Sequence, residues 1–178
     1  MPNTAAYSMK DSQPHLVILN GPSSEHVPEL DIPRWVCTSR SGDPLATYRV
    51  CYDDRRLDYC RQFGPVITRP GWHLASEPTP ANPYRISDSG NAAMYLACQR
   101  ARRVYVIGAD MLLGGGLTTQ SDLHYETRPK TEQMRARMRR RFHQWTRATR
   151  TWPAFVWPRA VANYWTISME DFLLNIDA

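Results

Sequence analysis

The stretch that decides the fold is VYVIGAD, Val104 to Asp110, the clearest strand in the sequence. Its first four residues are apolar without alternation, which is typical of a central parallel strand that is buried on both faces. A second run of this kind, Leu16 to Leu19, leads into Asn20-Gly21-Pro22-Ser23. Both predicted strands therefore end in a polar turn that contains glycine.

Strand and helix patterns alternate along the rest of the chain. Strands are predicted at residues 34–39, 47–54, 65–69 and 153–157, and helices at 23–30, 55–64, 87–103, from 131 onward and at 168–176. Such alternation predicts an α/β, Rossmann-like fold with a mostly parallel sheet and helices on both faces. We expect a single nucleotide-binding domain over residues 1–178, in which residues 70–88 form a proline-rich loop or lid.

The composition is that of a globular protein, with 178 residues, 42% hydrophobic and 22% charged. The polar start MPNTAAYSMKDSQP lacks the apolar core of a signal peptide, and no apolar run approaches the roughly 20 residues that span a bilayer. We therefore expect a cytoplasmic protein with no membrane span. The four cysteines form no Cys-x-x-Cys pair, so we expect reduced and mostly buried thiols rather than a zinc site.

Positive charge is concentrated in one segment, residues 128–150, which is predicted to be a basic helix. It holds nine Lys and Arg residues against one acid, Glu132. One interpretation is a solvated amphipathic helix; the other is attraction for nucleic acid or another polyanion, since arginine forms bidentate contacts with phosphate. The candidate contacts are Arg135, Arg139, Arg140 and Arg141.

The carboxyl ends of the predicted strands share a polar character. In open parallel sheets, ligands bind outside these ends. The candidate nucleotide-binding residues are Asn20, Gly21, Pro22, Ser23, Thr38, Ser39, Asp53, Gly108, Ala109 and Asp110, together with Ser89 and Gly90 where a helix begins. A helix start offers free amide groups and the positive end of the helix dipole to an anion. Each motif also has a plainer interpretation, as an ordinary turn or a helix cap.

The sequence contains no Gly-x-Gly-x-x-Gly fingerprint, so nicotinamide chemistry gains no support. It also lacks an Asp-x-Asp metal motif, and we expect no bound metal. A general base should lie on a loop that can close over the substrate, which favours His124 or His73 among the five histidines.

The ordered set of these motifs resembles the small bacterial sialyltransferases that use CMP-sialic acid, and their relatives in bacteria and phages. The resemblance implies that Asn20 contacts the donor nucleotide near its phosphate, and that Ser89 and Gly90 bind nucleotide atoms. It also implies that Gly108, Ala109 and Asp110 hold the ribose and base. Thr38 or Ser39, and Asp53, stand where the family often has asparagine.

The same resemblance implies that His124 is the base and that Tyr125 steadies the departing phosphate. The expected function is that of a nucleotide-sugar-binding, glycosyltransferase-like enzyme, with metal-independent inverting transfer to a hydroxyl acceptor. Its donor substrate would be a nucleotide-sugar, CMP-linked in the resembling family, with no other cofactor. Two alternatives stay open: a nucleotide-binding or nucleotide-cleaving protein without transferase activity, and a nucleic-acid-binding accessory protein that uses the basic helix.

Overall fold

A computed structural model describes residues 10–25, 27–68, 84, 86, 88–109, 132–156 and 164–176. The strands are β1 (His15–Ile18), β2 (Arg34–Cys37), β3 (Tyr48–Cys51), β4 (Val66–Thr68), β5 (Val104–Ile107), β6 (Ala154–Val156) and β7 (Thr166–Ile167). The α-helices are α1 (Asp54–Arg61), α2 (Ser89–Arg100), α3 (Glu132–Thr149) and α4 (Met169–Ile176), and single 3-10 turns cover Pro22–Ser24 and Thr38–Arg40.

The seven strands form one parallel sheet in the order β4-β3-β2-β1-β5-β6-β7. The chain builds outward from β1 to β4 and then returns to place β5 on the other side of β1. The order therefore reverses between β1 and β5, which we call the switch point. The α/β, Rossmann-like fold predicted from the sequence is confirmed.

Burial along the sheet explains why the central strands read as continuous apolar runs. Every residue of β1, β2, β5 and β6 is buried, whereas β4 and β7 at the two edges are only half-buried. A strand covered on both faces has no solvent side that would require a polar residue. The VYVI pattern of β5 thus follows from its place beside β1.

Helices cover both faces of the sheet. On one face α2 presents Ala93 and Ala97, whose small side chains let the helix lie close, and α3 adds the buried rings of Phe142 and Trp145. On the opposite face α4 inserts Phe172, whose ring centroid lies 5.0 Å from that of Tyr105 in an edge-to-face arrangement.

Two details of the fold differ from the sequence prediction. The helix predicted at residues 23–30 is wrong, because only the 3-10 turn Pro22–Ser24 forms and residues 27–30 are irregular. Pro28 lacks the amide hydrogen that a helix needs and crowds the preceding turn. The strand β7 was not predicted, since a pair of residues is too short to carry a period.

Most of the segment predicted as a proline-rich loop or lid, residues 70–88, lies outside the described residues, and its role stays a prediction. The basic segment 128–150 contains α3, as predicted. None of the helices in the described ranges is long and apolar enough to cross a membrane.

Lys10 fixes the relative positions of α2 and α3. Its Nζ donates to the carbonyl oxygen of Cys98 at 2.6 Å and to that of Thr149 at 2.8 Å, as well as to Thr151 Oγ1. A cation is stabilised there by the negative ends of both helix dipoles. The C-terminal ends of the two helices therefore lie side by side.

The same alignment places the start of α3 beyond the start of α2. The part of α3 that precedes Thr149 is eight residues longer than the part of α2 that precedes Cys98. At about 1.5 Å per residue, its N-terminal part extends roughly 12 Å past the start of α2. The first half of α3 thus projects from the edge of the sheet where the carboxyl ends of the strands lie.

His15 links stability to pH, because its ring is only 1% exposed. Its Nδ1 accepts a hydrogen bond from Trp35 Nε1 at 3.0 Å, and its Nε2 lies 3.2 Å from Asp11 Oδ2. Burial lowers the pKa of His15 and the charge of Arg100 lowers it further, while Asp11 opposes both. The folded protein therefore favours neutral His15, and the unfolded chain binds more protons near the ordinary histidine pKa.

We predict that the free energy of unfolding falls as the pH drops through about 6.5, the ordinary histidine pKa, because protonation of His15 favours the unfolded chain. Urea unfolding on either side of this pH measures the change. In His15→Gln the pH-dependence should be smaller, whatever the absolute stability of the variant. An undiminished pH-dependence in His15→Gln would contradict this assignment.

Candidate nucleotide-binding edge

The ends of β1 and β5 are joined at the switch point by three hydrogen bonds. The amide of Leu19 donates to the Ile107 carbonyl at 2.8 Å, and that of Gly21 donates to the Gly108 carbonyl at 3.0 Å. In return, the amide of Gly108 donates to Ser23 Oγ at 2.9 Å. The turn after β1 and the turn after β5 are therefore one connected unit.

Gly108 is required by this junction. Its φ of 82° lies in the left-handed region, and a Cβ atom there would come within 2.5 Å of the Leu19 carbonyl oxygen. The glycine is thus explained by the close approach of two backbones. Its neighbour Ala109 is buried.

Asn20 joins the end of β1 to the end of β2. Its Nδ2 donates to Thr38 Oγ1 at 3.1 Å, and Cys37 Sγ lies 3.9 Å from its Oδ1. Thr38 has a φ of 37°, and its carbonyl accepts from Cys60 Sγ of α1 at 3.7 Å. The structure therefore brings two of the predicted site residues into direct contact and ties them to α1.

The start of α2 lies over the ends of β1 and β3. Ser89 Oγ accepts a hydrogen bond from the amide of Tyr52, just after β3, at 2.9 Å. A Cβ atom on Gly90 would lie 3.5 Å from Leu19 Cδ2, an ordinary van der Waals distance. Ser89 and Gly90 therefore belong to the same edge as Asn20, and the buried hydroxyl of Ser89 already bonds the protein itself.

Two aspartates at this edge act as helix caps. Asp88 Oδ1 accepts from the amide of Asn91 at 2.7 Å, and Asp53 Oδ1 accepts from that of Arg55 at 3.1 Å. The amides of Ser89 and Gly90 donate to no other described residue. The interpretation of Asp53 as a helix cap accounts for its geometry. At the start of α2, the Asp88 cap leaves the amides of Ser89 and Gly90 facing outward from the helix end.

Arg40 is the residue at this edge that the sequence reasoning missed. It closes the 3-10 turn after β2, and its guanidinium donates to Ser24 Oγ. Ser24 Oγ in turn donates to the Gly21 carbonyl at 2.7 Å. A positive charge thus lies against the turn after β1. In the sequence, the only indication of this residue is its position directly after the candidate site residues Thr38 and Ser39.

A cleft of about 410 Å³ opens beside Arg40. Its walls include Arg34 of β2 and, from the β1–β2 and β2–β3 connections, Ser24, Val27, Asp43 and Leu45. The Arg34 guanidinium lies 3.5 Å from the Asp43 carboxylate and donates to the Pro28 carbonyl at 2.8 Å. The described residues of these two connections form no α-helix, and the size of the cleft is in the range of small-molecule sites.

Several predicted site residues lie outside the described residues: Asp110, His124 and Tyr125, and the side chains of Pro22, Ser39 and Arg135. Of the other candidate arginines on α3, Arg140 is exposed, and Arg139 and Arg141 are half-buried. The described ranges contain no group of three or more His, Cys, Asp or Glu side chains that could hold a metal ion.

The four cysteines are buried and free of disulfides, as predicted. Burial raises the pKa of the Cys51 thiol to about 12, and it also raises that of Cys98. A buried thiol that stays protonated is a poor nucleophile. The structure therefore gives no support to catalysis by Cys51 or Cys98.

Comparisons with known proteins identify no relative, since no family model, no curated protein and no solved structure matches the chain.

We predict that Gly108→Ala lowers the free energy of unfolding by more than about 2 kcal/mol, because it adds left-handed strain to a backbone clash. Gly90→Ala is the matched control, since its new methyl group makes only ordinary contacts and alanine favours the helix. Urea unfolding of both variants measures the difference. Equal stability of the two variants would show that Leu19 and Gly108 approach less closely than described.

Proposed function

We propose that the protein binds a nucleotide at the switch point between β1 and β5. The observation that carries this proposal is the turn Asn20–Ser23, which is held against Gly108 where the strand order reverses. In open parallel sheets, this reversal leaves a crevice outside the strand ends in which ligands bind.

The charges at this edge suit a phosphate group. Arg40 places a guanidinium against the turn after β1, and the amides of Ser89 and Gly90 lie at the positive end of the α2 dipole. The Asp88 carboxylate occupies part of that helix end, so the phosphate would lie on the Arg40 side. The cleft beside Arg40 combines the apolar side chains of Val27 and Leu45 with the carboxylates of Glu25, Glu29 and Asp43, so it suits an uncharged part of the ligand rather than a second phosphate.

The reaction that we propose is glycosyl transfer from the bound nucleotide-sugar, and it is supported by the resemblance of the motifs to sialyltransferases. A base accepts the proton of an acceptor hydroxyl, the oxygen forms a bond to the anomeric carbon, and the bond from that carbon to the phosphate oxygen breaks. The nucleotide leaves with the electron pair of that bond. His124 is the proposed base, and Tyr125 the proposed partner of the departing phosphate.

Nucleotide binding is tested by thermal shift with CMP, UMP, GMP and AMP. We expect at least one of them to raise the melting temperature of the protein. Asn20→Asp should weaken this ligand at least about tenfold, because a carboxylate replaces an amide beside the phosphate. Gln62→Glu, the same chemical change at the exposed end of α1, is the control and should bind as the wild type does.

The absence of any shift with all four nucleotides would refute nucleotide binding. Equal binding by Asn20→Asp and Gln62→Glu would place the ligand away from the switch point.

Transfer is tested with CMP-sialic acid and a panel of glycan acceptors, by measuring release of CMP and formation of the glycoside. We expect His124→Ala to lose turnover by a factor of about 100 or more while keeping the nucleotide-induced shift. Release of CMP without glycoside would instead identify a nucleotide-cleaving protein. Unchanged turnover in His124→Ala would remove that residue from the role of base.

A further inference from the structure

One face of α3 carries basic side chains beside two aromatic rings that come from outside the helix. Arg139, His143 and Arg147 are spaced by four residues and so lie on the same side of the helix. The His143 ring centroid lies 6.0 Å from that of Trp152 and 5.7 Å from that of Tyr164. We call these five residues the arginine–aromatic stripe.

The two arginines of the stripe lie about one helical turn on either side of His143, as their spacing on α3 requires. Burial raises the pKa of Tyr164 to about 12, and the Arg139 charge opposes that rise. Burial likewise lowers the pKa of His143, and the Arg147 charge lowers it further. The directions of these pKa effects agree with the placement that the helical spacing gives.

Trp152 is a partly exposed aromatic ring beside this basic face of α3. It is 42% exposed, and its neighbour in space Phe142 is fully buried, so the indole covers the core on one side and faces solvent on the other. Single exposed hydrophobic residues are common and need no explanation. An exposed indole beside the helix face that carries Arg147, which forms no ion pair with another described residue, is a more specific arrangement.

The surrounding segment has no acidic counterpart. Residues 133–169 contain eight arginines and no aspartate or glutamate. Arg140, Arg147 and Arg150 form no ion pair with another described residue.

From this juxtaposition we infer that the arginine–aromatic stripe binds single-stranded nucleic acid, with phosphates on the arginines and a base stacked on Trp152. Proteins that bind single strands combine a positive surface with aromatic rings on which bases stack. A duplex would leave Trp152 without a stacking partner, because its bases are already paired and stacked. Arginine is also the cation suited to bidentate phosphate contact.

The stripe follows the axis of α3, whose first half projects from the carboxyl edge of the sheet. A strand bound along α3 would thus run toward the side of the molecule where the switch point lies. The inference rests on residues outside the proposed nucleotide site, and the two can fail independently.

The test is fluorescence anisotropy with a labelled 12-nucleotide dT or U strand and with the duplex of the same length. We expect the single strand to bind more tightly than the duplex, with affinity that falls as salt rises. Arg147→Gln should weaken binding and lower the slope of log affinity against log salt by about one. Trp152→Ala should weaken it by roughly 5- to 150-fold, the range for the loss of one stacked base.

Matched controls come from α1, at the opposite end of the sheet. Arg56→Gln and Tyr59→Ala remove an exposed arginine and a 40% exposed aromatic ring there, and both should bind as the wild type does. Trp152→Phe keeps an aromatic face and should retain most of the affinity, which separates lost stacking from lost folding. Thermal unfolding of every variant checks that the fold is intact.

Three results would overturn the inference: no binding of either single strand at low salt, tighter binding of the duplex, or equal losses in the stripe and control variants. Tighter binding of poly-glutamate than of the dT strand would assign the stripe to an acidic protein instead. Each readout is independent of the nucleotide-induced thermal shift, which the stripe variants should leave unchanged.

Discussion

The junction of β1 with β5 is the constraint on which the rest of the structure depends. The sheet can change direction only if the returning chain fits beside its first strand, and Gly108 permits this by approaching Leu19 without a side chain. The hydrogen bond from the Gly108 amide to Ser23 Oγ then fixes the shape of the turn after β1. Fold and candidate site are thus set by the same few atoms.

The polar groups at the strand ends serve largely to hold one another. Asn20 bonds Thr38, Ser89 bonds the Tyr52 amide, and Arg40 bonds Ser24. Such bonding between neighbouring elements orders the edge before any ligand arrives, which reduces the cost of ordering on binding. A ligand at this edge would meet a surface whose geometry is already defined.

The fold could be predicted from the sequence because burial leaves a clear record in it. The apolar runs of β1 and β5 and the alternation of elements follow directly from a parallel sheet covered on both faces. The polar strand ends were recognisable for the same reason, since they interrupt those runs. What the pattern could not reveal was which partner each polar group takes, because that depends on strand order.

Two residues illustrate this limit. A helix start at Ser89 looks the same in sequence whether its hydroxyl binds a ligand or the Tyr52 amide. Arg40 gave no periodic signal, and its contact with Ser24 arises only when the turns after β1 and β2 are brought side by side. Pro28, in contrast, is visible in the sequence, and it explains why residues 27–30 do not continue the helix predicted at 23–30.

Lys10 has a consequence for the order of folding events. Its ammonium group joins positions that are 88 and 139 residues away along the chain, at the last turns of α2 and α3. Contacts between such distant positions form only after the intervening elements have assembled, because closing long loops early costs entropy. We infer that the Lys10 hydrogen bonds form late in folding, and that they therefore slow the unfolding of the domain more than they speed its folding.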